Sequence, residues 1–155
     1  MENNKNLMGT DIVAQIAVLV NDIETTSQAY ADFFGIEKPQ WKLTDTLDKT
    51  QATYNGEPAE ARAKLAFIKF GNITIELIEP DHNPSTWREV LDEKGEGFHH
   101  IAFRVDGLKS IVGEMEDRQM PLIQKGEYTG GRYAYMDTFK DLKLIIELLG
   151  NDIKP

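Results

Sequence analysis

HHIAFRVDGL, residues 99–108, and AQIAVLVNDI, residues 14–23, are two versions of one pattern: a β-branched and aromatic run, an acidic turn, then the opening of an amphipathic helix. Each run is followed by the same second phrase. KLAFIKFGNITIELIEP (64–80) closes the first unit and RYAYMDTFKDLKLIIELLG (132–150) closes the second, and both read as hairpins that end on an IEL core. Gly71-Asn72 is the predicted turn of the first hairpin and Lys140-Asp141 that of the second. A weaker strand is expected before each hairpin, near 39–43 and 122–125, followed by a polar loop (44–58) and a glycine-rich turn (126–131) respectively.

The fold expected from this order is α+β. Two βαβββ modules in tandem would form a curved, partly open, eight-stranded mixed sheet with helices on the outside. Module one spans about 11–80, a linker helix about 85–95 and module two about 98–150, all in a single domain. Helix ends are marked by capping signals: Asn21 three residues before Glu24, Asp106 before Leu108, and Thr86 three before Glu89. Gly35 and Gly95 mark stops, and Pro121 bars continuation of the second-module helix.

Strand alternation assigns faces. Ile16, Val18 and Val20 should pack against the helices, as should Ile101, Phe103 and Val105, which leaves Gln15 and His100 on the opposite face. Glu76 lies between Ile75 and Leu77, and Glu147 between Ile146 and Leu148, so both glutamates project to that same face. His99 is out of phase with it and should face the helices or a strand end; His82 falls in the linker. A carboxylate in a central strand is costly unless its charge is compensated, and two of them call for a cation. One divalent ion held by Gln15, Glu76, His100 and Glu147 meets that need, and three oxygens with one imidazole suit Zn, Ni, Mn, Co or Mg. Arg104 or Arg132 could instead neutralise the glutamates. With a two-residue turn at Gly71-Asn72, Phe67 faces Glu76 and becomes a cavity-wall candidate, while Phe70 lies on the other face. Arg104, Tyr133 and Tyr135 join Phe67 as candidate substrate contacts.

Composition narrows the function. Seventeen Lys and Arg against 26 Asp and Glu give a net charge of −9, which argues against a nucleic-acid partner. Zero cysteines remove thiolate nucleophiles and sulfur-ligated zinc. No stretch approaches the length of a membrane span and the amino terminus has no signal-peptide core, so a cytoplasmic protein is expected.

The paired βαβββ units, the phrase GFHHIAFRVD and the terminal LIIELLG resemble the vicinal oxygen chelate superfamily of glyoxalase I, methylmalonyl-CoA epimerase, extradiol dioxygenases and bleomycin-resistance proteins. The resemblance extends from about Asp11 to Gly150 and is nearest to the glyoxalase and epimerase branch. It implies that Gln15, Glu76, His100 and Glu147 are the metal ligands and that Glu147 is the catalytic base. It further implies a metalloenzyme, a lyase or isomerase, that removes a proton next to a carbonyl of a small carbonyl compound or thioester, and a homodimer. The positions that would contact glutathione in one glyoxalase class are Leu19, Pro80 and Glu96, which do not match it. Glu57 and Glu60 are the candidates for an epimerase's second base. The alternative function is a metal-independent protein that binds or sequesters a small molecule such as a drug, with Glu76 and Glu147 tied to arginines.

Overall fold

A computed structural model describes residues 5–151. Its elements are β1 (Gln15–Leu19), α1 (Ile23–Phe34), β2 (Trp41–Leu43), α2 (Leu47–Thr50), β3 (Thr53–Tyr54), β4 (Glu57–Pro58), β5 (Ala63–Lys69), β6 (Thr74–Pro80), α3 (Thr86–Lys94), β7 (Gly97–Val105), α4 (Leu108–Asp117), β8 (Leu122–Tyr128), β9 (Gly131–Met136), α5 (Phe139–Leu142) and β10 (Ile145–Gly150). All ten strands join one mixed sheet in the order β2-β5-β6-β1-β7-β10-β9-β8-β3-β4. Read outward from its centre, β1-β6-β5-β2 and β7-β10-β9-β8 are equivalent, so the repeat in the sequence becomes an approximate two-fold between β1 and β7.

The sheet has ten strands where eight were expected, because the polar loop 44–58 is not irregular. After β2 at one end of the sheet, the chain forms α2 and then the hairpin β3–β4, which pairs through Thr53–Lys125 and Tyr54–Gln124 with β8 at the other end. Thr44, Thr50 and Ala52 line the concave side along this route, so the segment straps the two halves together. The pairing joins residues some seventy positions apart in sequence, and no local pattern signals it.

The central register follows the predicted alternation. Ala17 of β1 lies beside Glu76 of parallel β6 and opposite His100 of antiparallel β7; Glu147 of β10 lies beside Ala102. On the convex side, Ile23 of α1 packs with Val20, Ala66, Ile68 and Leu77, and Leu108, Ile111 and Met115 of α4 pack with Val105, Met136 and Leu148. Each large apolar side chain buried there contributes roughly 1.5–3 kcal/mol. The third cluster is concave: Trp87 and Leu91 of α3 cover Ala17, Leu19, Ile78 and Tyr135.

Several local expectations shift by a residue. Asp22, not Asn21, caps α1 by accepting from the backbone N–H groups of Glu24 and Thr25. Ser85, not Thr86, caps α3 by accepting from Arg88 N–H. Gly107, at φ 70°, precedes α4, and no side chain, Asp106 included, caps it. Neighbouring Asn, Asp, Ser and Thr are near-equal capping residues, so sequence leaves the choice to the geometry of entry. The first hairpin has its two-residue turn, with Phe70 N–H donating to Ile73 C=O at 2.9 Å. The second is joined by the helical turn α5 rather than by a tight Lys140-Asp141 turn, and β8 runs on to Tyr128, which reduces the glycine-rich turn to Thr129-Gly130.

Candidate metal and substrate site

Three acid and base side chains meet on the concave face at the centre of the sheet. His100 Nε2 lies 2.8 Å from Glu147 Oε2 and 3.5 Å from Glu76 Oε2, and one ligand atom from each residue lies within 4.8 Å of the others. His100 is fully buried, and Glu76 and Glu147 are 5% and 4% exposed. Among the described residues, none of these three atoms has an aligned hydrogen-bond partner. Neither arginine relieves them: Arg132 pairs with Glu127, and Arg104 forms no ion pair among the described residues. The feature on which a metal-independent binding protein would rest, carboxylates tied to arginines, is therefore replaced by a convergent imidazole.

Burial alone would lower the pKa of His100, but Glu147 and then Glu76 override it and push the group up to about 9. Burial likewise raises Glu76, partly offset by His100 and reinforced by the charge of Glu147. Two acidic side chains face a single basic one, so the imidazole can balance only one of them. Buried donor atoms without aligned partners and with unbalanced charge are the arrangement that a divalent cation resolves, and two carboxylate oxygens with one imidazole nitrogen fit such an ion. Gln15 lies on the same face, opposite Ala102 and so one row from Glu76, and lines the same cavity.

That cavity encloses about 450 Å³. Phe67, Trp87, Tyr133 and Tyr135 make its aromatic wall, and the strap contributes Thr50 and Ala52. Phe67 faces Glu76 across the hairpin and is 44% exposed toward the opening, while Phe70 packs on Phe34 on the convex side. Exposed Arg104 lies at the rim. Trp87 Nε1 donates to Tyr135 Oη at 3.0 Å and Gln124 Nε2 donates to Tyr133 Oη at 3.1 Å. Burial raises both phenols, Tyr133 to about 12 and Tyr135 well above its ordinary value, and the charges of Glu147 and Glu76 add to the shift. Both therefore remain protonated, and each can donate its own O–H. Glu57 and Glu60 are exposed on and beside β4 and do not line the cavity.

Four buried residues around the site escaped the strand alternation. His99, Thr86, Gln124 and Trp87 form its outer layer, with Thr86 N–H donating to Gln124 Oε1 at 2.9 Å and Thr86 Oγ1 lying 3.2 Å from His99 Nε2. His99 faces α3, a helix, as expected, but it does so on the concave side, beside His100.

Residues 14–135 match the family model described as Glyoxalase/Bleomycin resistance protein/Dioxygenase superfamily. The chain belongs to this superfamily. Among curated proteins it is similar to the uncharacterized protein YqjC of Bacillus subtilis (strain 168), at 35% identity over 92 residues, which cover 57% of this chain and 66% of that protein. The fold is similar to that of methylmalonyl-CoA epimerase from Mycobacterium tuberculosis, with a TM-score of 0.63, 20% identity, and 91% and 88% of the two chains covered. It is also similar to the hypothetical protein BH1468 from Bacillus halodurans C-125, with a TM-score of 0.61, 19% identity, and 92% and 96% covered. Among the described residues, no helix is long and apolar enough to cross a membrane.

Proposed function

We propose that the protein is a divalent-metal-dependent isomerase or lyase that removes the proton next to a carbonyl of a small carbonyl compound or thioester. The observation that carries this reading is the convergence of Glu76, His100 and Glu147 as buried donors without aligned partners. These three residues would hold the ion, with Gln15 as a fourth ligand. A divalent ion in that position supplies the Lewis-acid charge that polarises a carbonyl and compensates the negative charge its oxygen gains.

The remaining roles fall to the chain itself. Glu147 takes the proton from the carbon: it reaches the cavity, and the low-polarity wall of Tyr135, Trp87 and Leu149 keeps water from competing for it. Tyr133 and Tyr135 direct two O–H donors toward substrate oxygen, because Gln124 and Trp87 already occupy their acceptor side. Phe67 and Trp87 grip an apolar body, and Arg104 at the rim suits an anionic group on the substrate. All these residues come from one chain, so the proposed homodimer would not be needed to complete the site. A cytoplasmic setting is part of the same proposal.

The test is exchange of the α-hydrogen for deuterium, followed by NMR, in α-keto aldehyde adducts and acyl-CoA thioesters. Chelator-stripped protein should be inactive and should regain exchange with one of Zn, Ni, Mn, Co or Mg. Glu147→Gln should remove exchange from folded protein. Exchange that survives both chelation and Glu147→Gln would refute the reading.

A further inference from the structure

β7 does not alternate evenly. Ala17 lies opposite His100 but Val18 lies opposite Phe98, so His99 is the extra residue of a β-bulge. Gly97, at φ 134°, begins the strand in a conformation that glycine tolerates and other residues rarely adopt. The bulge turns His99 back onto the concave side, where its Nδ1 lies 2.7 Å from His100 Nδ1. Two imidazole nitrogens at that distance must share one proton: one is N–H and the other a lone pair.

Only two assignments exist, and the surroundings choose between them. If His99 donated, neutral His100 would have to carry its proton on Nε2, facing two carboxylates as an uncharged group with no lone pair left for an ion. If His100 donates from Nδ1, it can meet Glu76 and Glu147 as a cation, or leave its Nε2 lone pair to a metal. His99 then accepts at Nδ1 and holds its own proton on Nε2, where Thr86 Oγ1 lies 3.2 Å away as acceptor. The chain continues inward. Thr86 is fixed by its N–H on Gln124 Oε1, and that contact orients the amide of Gln124 to donate to Tyr133. His99 and Gln124 are 3% and 1% exposed, and the His99 ring also packs edge-on against Tyr135 with centroids 5.5 Å apart.

We infer that His99 is a positioning residue: as hydrogen-bond acceptor for His100 Nδ1–H, and held by Thr86, it fixes the tautomer and ring orientation that aim His100 Nε2 at the ion. The inference rests on the metal reading for its consequence, though the hydrogen-bond direction can be tested without any metal. A metal-bound histidine needs such a partner on its second nitrogen, usually a carboxylate or a carbonyl. Here a neutral ring takes that place, which adds no third acidic group to a pocket that already holds two.

The first test is long-range proton–nitrogen NMR on ¹⁵N-histidine-labelled, chelator-stripped full-length protein. His99 is expected as the neutral Nε2–H tautomer; an Nδ1–H tautomer would overturn the inference. The second is calorimetric titration with the chlorides of Zn, Ni and Mn, with melting of each metal-free variant as a check on packing. His99→Phe keeps the ring volume and removes the acceptor, and should weaken ion binding roughly 10–100-fold. His99→Gln can accept with its amide oxygen and donate with its nitrogen, and should restore affinity to within a few-fold. Equal affinity for His99→Phe and the unaltered chain would overturn the inference. If the unaltered chain binds none of the ions, the metal reading fails, and the tautomer measured by NMR alone decides the direction of the His99–His100 bond.

Discussion

Metal binding should expel a proton from His100, and the structure sets the size of the effect. With the group raised to about 9, His100 Nε2 is protonated at pH 7, so an ion must displace that proton before it can use the nitrogen. Two pH units below the pKa, at about 1.4 kcal/mol per unit, correspond to about 2.7 kcal/mol, or about a 100-fold reduction in apparent affinity. Affinity for Zn or Ni should thus rise about tenfold per pH unit between pH 7 and pH 9 and then level off. Because His100 Nε2 lies 2.8 Å from Glu147 and 3.5 Å from Glu76, the proton is shared within this buried cluster rather than fixed on one atom. Calorimetry at pH 7 in buffers of differing ionisation enthalpy counts it directly: about one proton released per ion, falling toward zero above pH 9. Affinity that is constant from pH 7 to pH 9, with no proton released, would refute the argument, since it would require His100 to be neutral between its two carboxylates before the ion arrives.

The same group makes metal-free protein sensitive to alkali. His100 is raised above its unfolded value of 6.5, so its stabilisation is complete below pH 6.5 and lost as pH climbs through about 9, a decline of at most about 3.4 kcal/mol. Glu76, also raised, acts in the same direction above its ordinary value of 4.5, whereas His99, held well below 6.5 by burial and then by His100, removes stability on the acid side. Metal-free protein should therefore melt highest at mildly acidic pH, at or just below 6.5, and a saturating ion should flatten the alkaline limb in a thermal scan. Gly131→Ala should cost roughly 1–3 kcal/mol by denaturant unfolding, because a Cβ there would lie 2.7 Å from the backbone oxygen of Gly150. Ser85→Ala should cost about 1 kcal/mol in the same assay by removing the cap of α3, and an unchanged midpoint would mean that the cap contributes nothing.

The parts of the molecule legible in the sequence are those governed by short-range periodicity. Alternation around Glu76 and Glu147 placed both on one face with His100, because each sits between two aliphatic residues that must go the other way. The tight Gly71-Asn72 turn set the register that brings Phe67 to Glu76. The bulge at His99 was not legible: one inserted residue reverses the face of its neighbour, and nothing in GFHHIA separates a regular strand from a bulged one. Trp87 and Thr86 read as helix residues, but that their helix covers the concave face is a tertiary fact. The strap was hidden for a different reason. Its strands are two residues long, too short for any period to show, and their partner lies in the other half of the chain.

That strap bears on how firmly the cavity is walled. β3 is tied to β8 by only two residue pairs, and it closes a loop of some seventy residues, so its contacts form late in folding and come apart early. The strands beneath it are longer, and the central ones are paired on both sides. Amide hydrogens of residues 53–57 should therefore exchange with solvent long before those of β1 and β7, at a free energy well below that of global unfolding. Breathing of this segment would loosen the cavity wall at Thr50 and Ala52, and a cross-link between β3 and β8 would slow exchange of those amides while leaving the opening beside Phe67 in place.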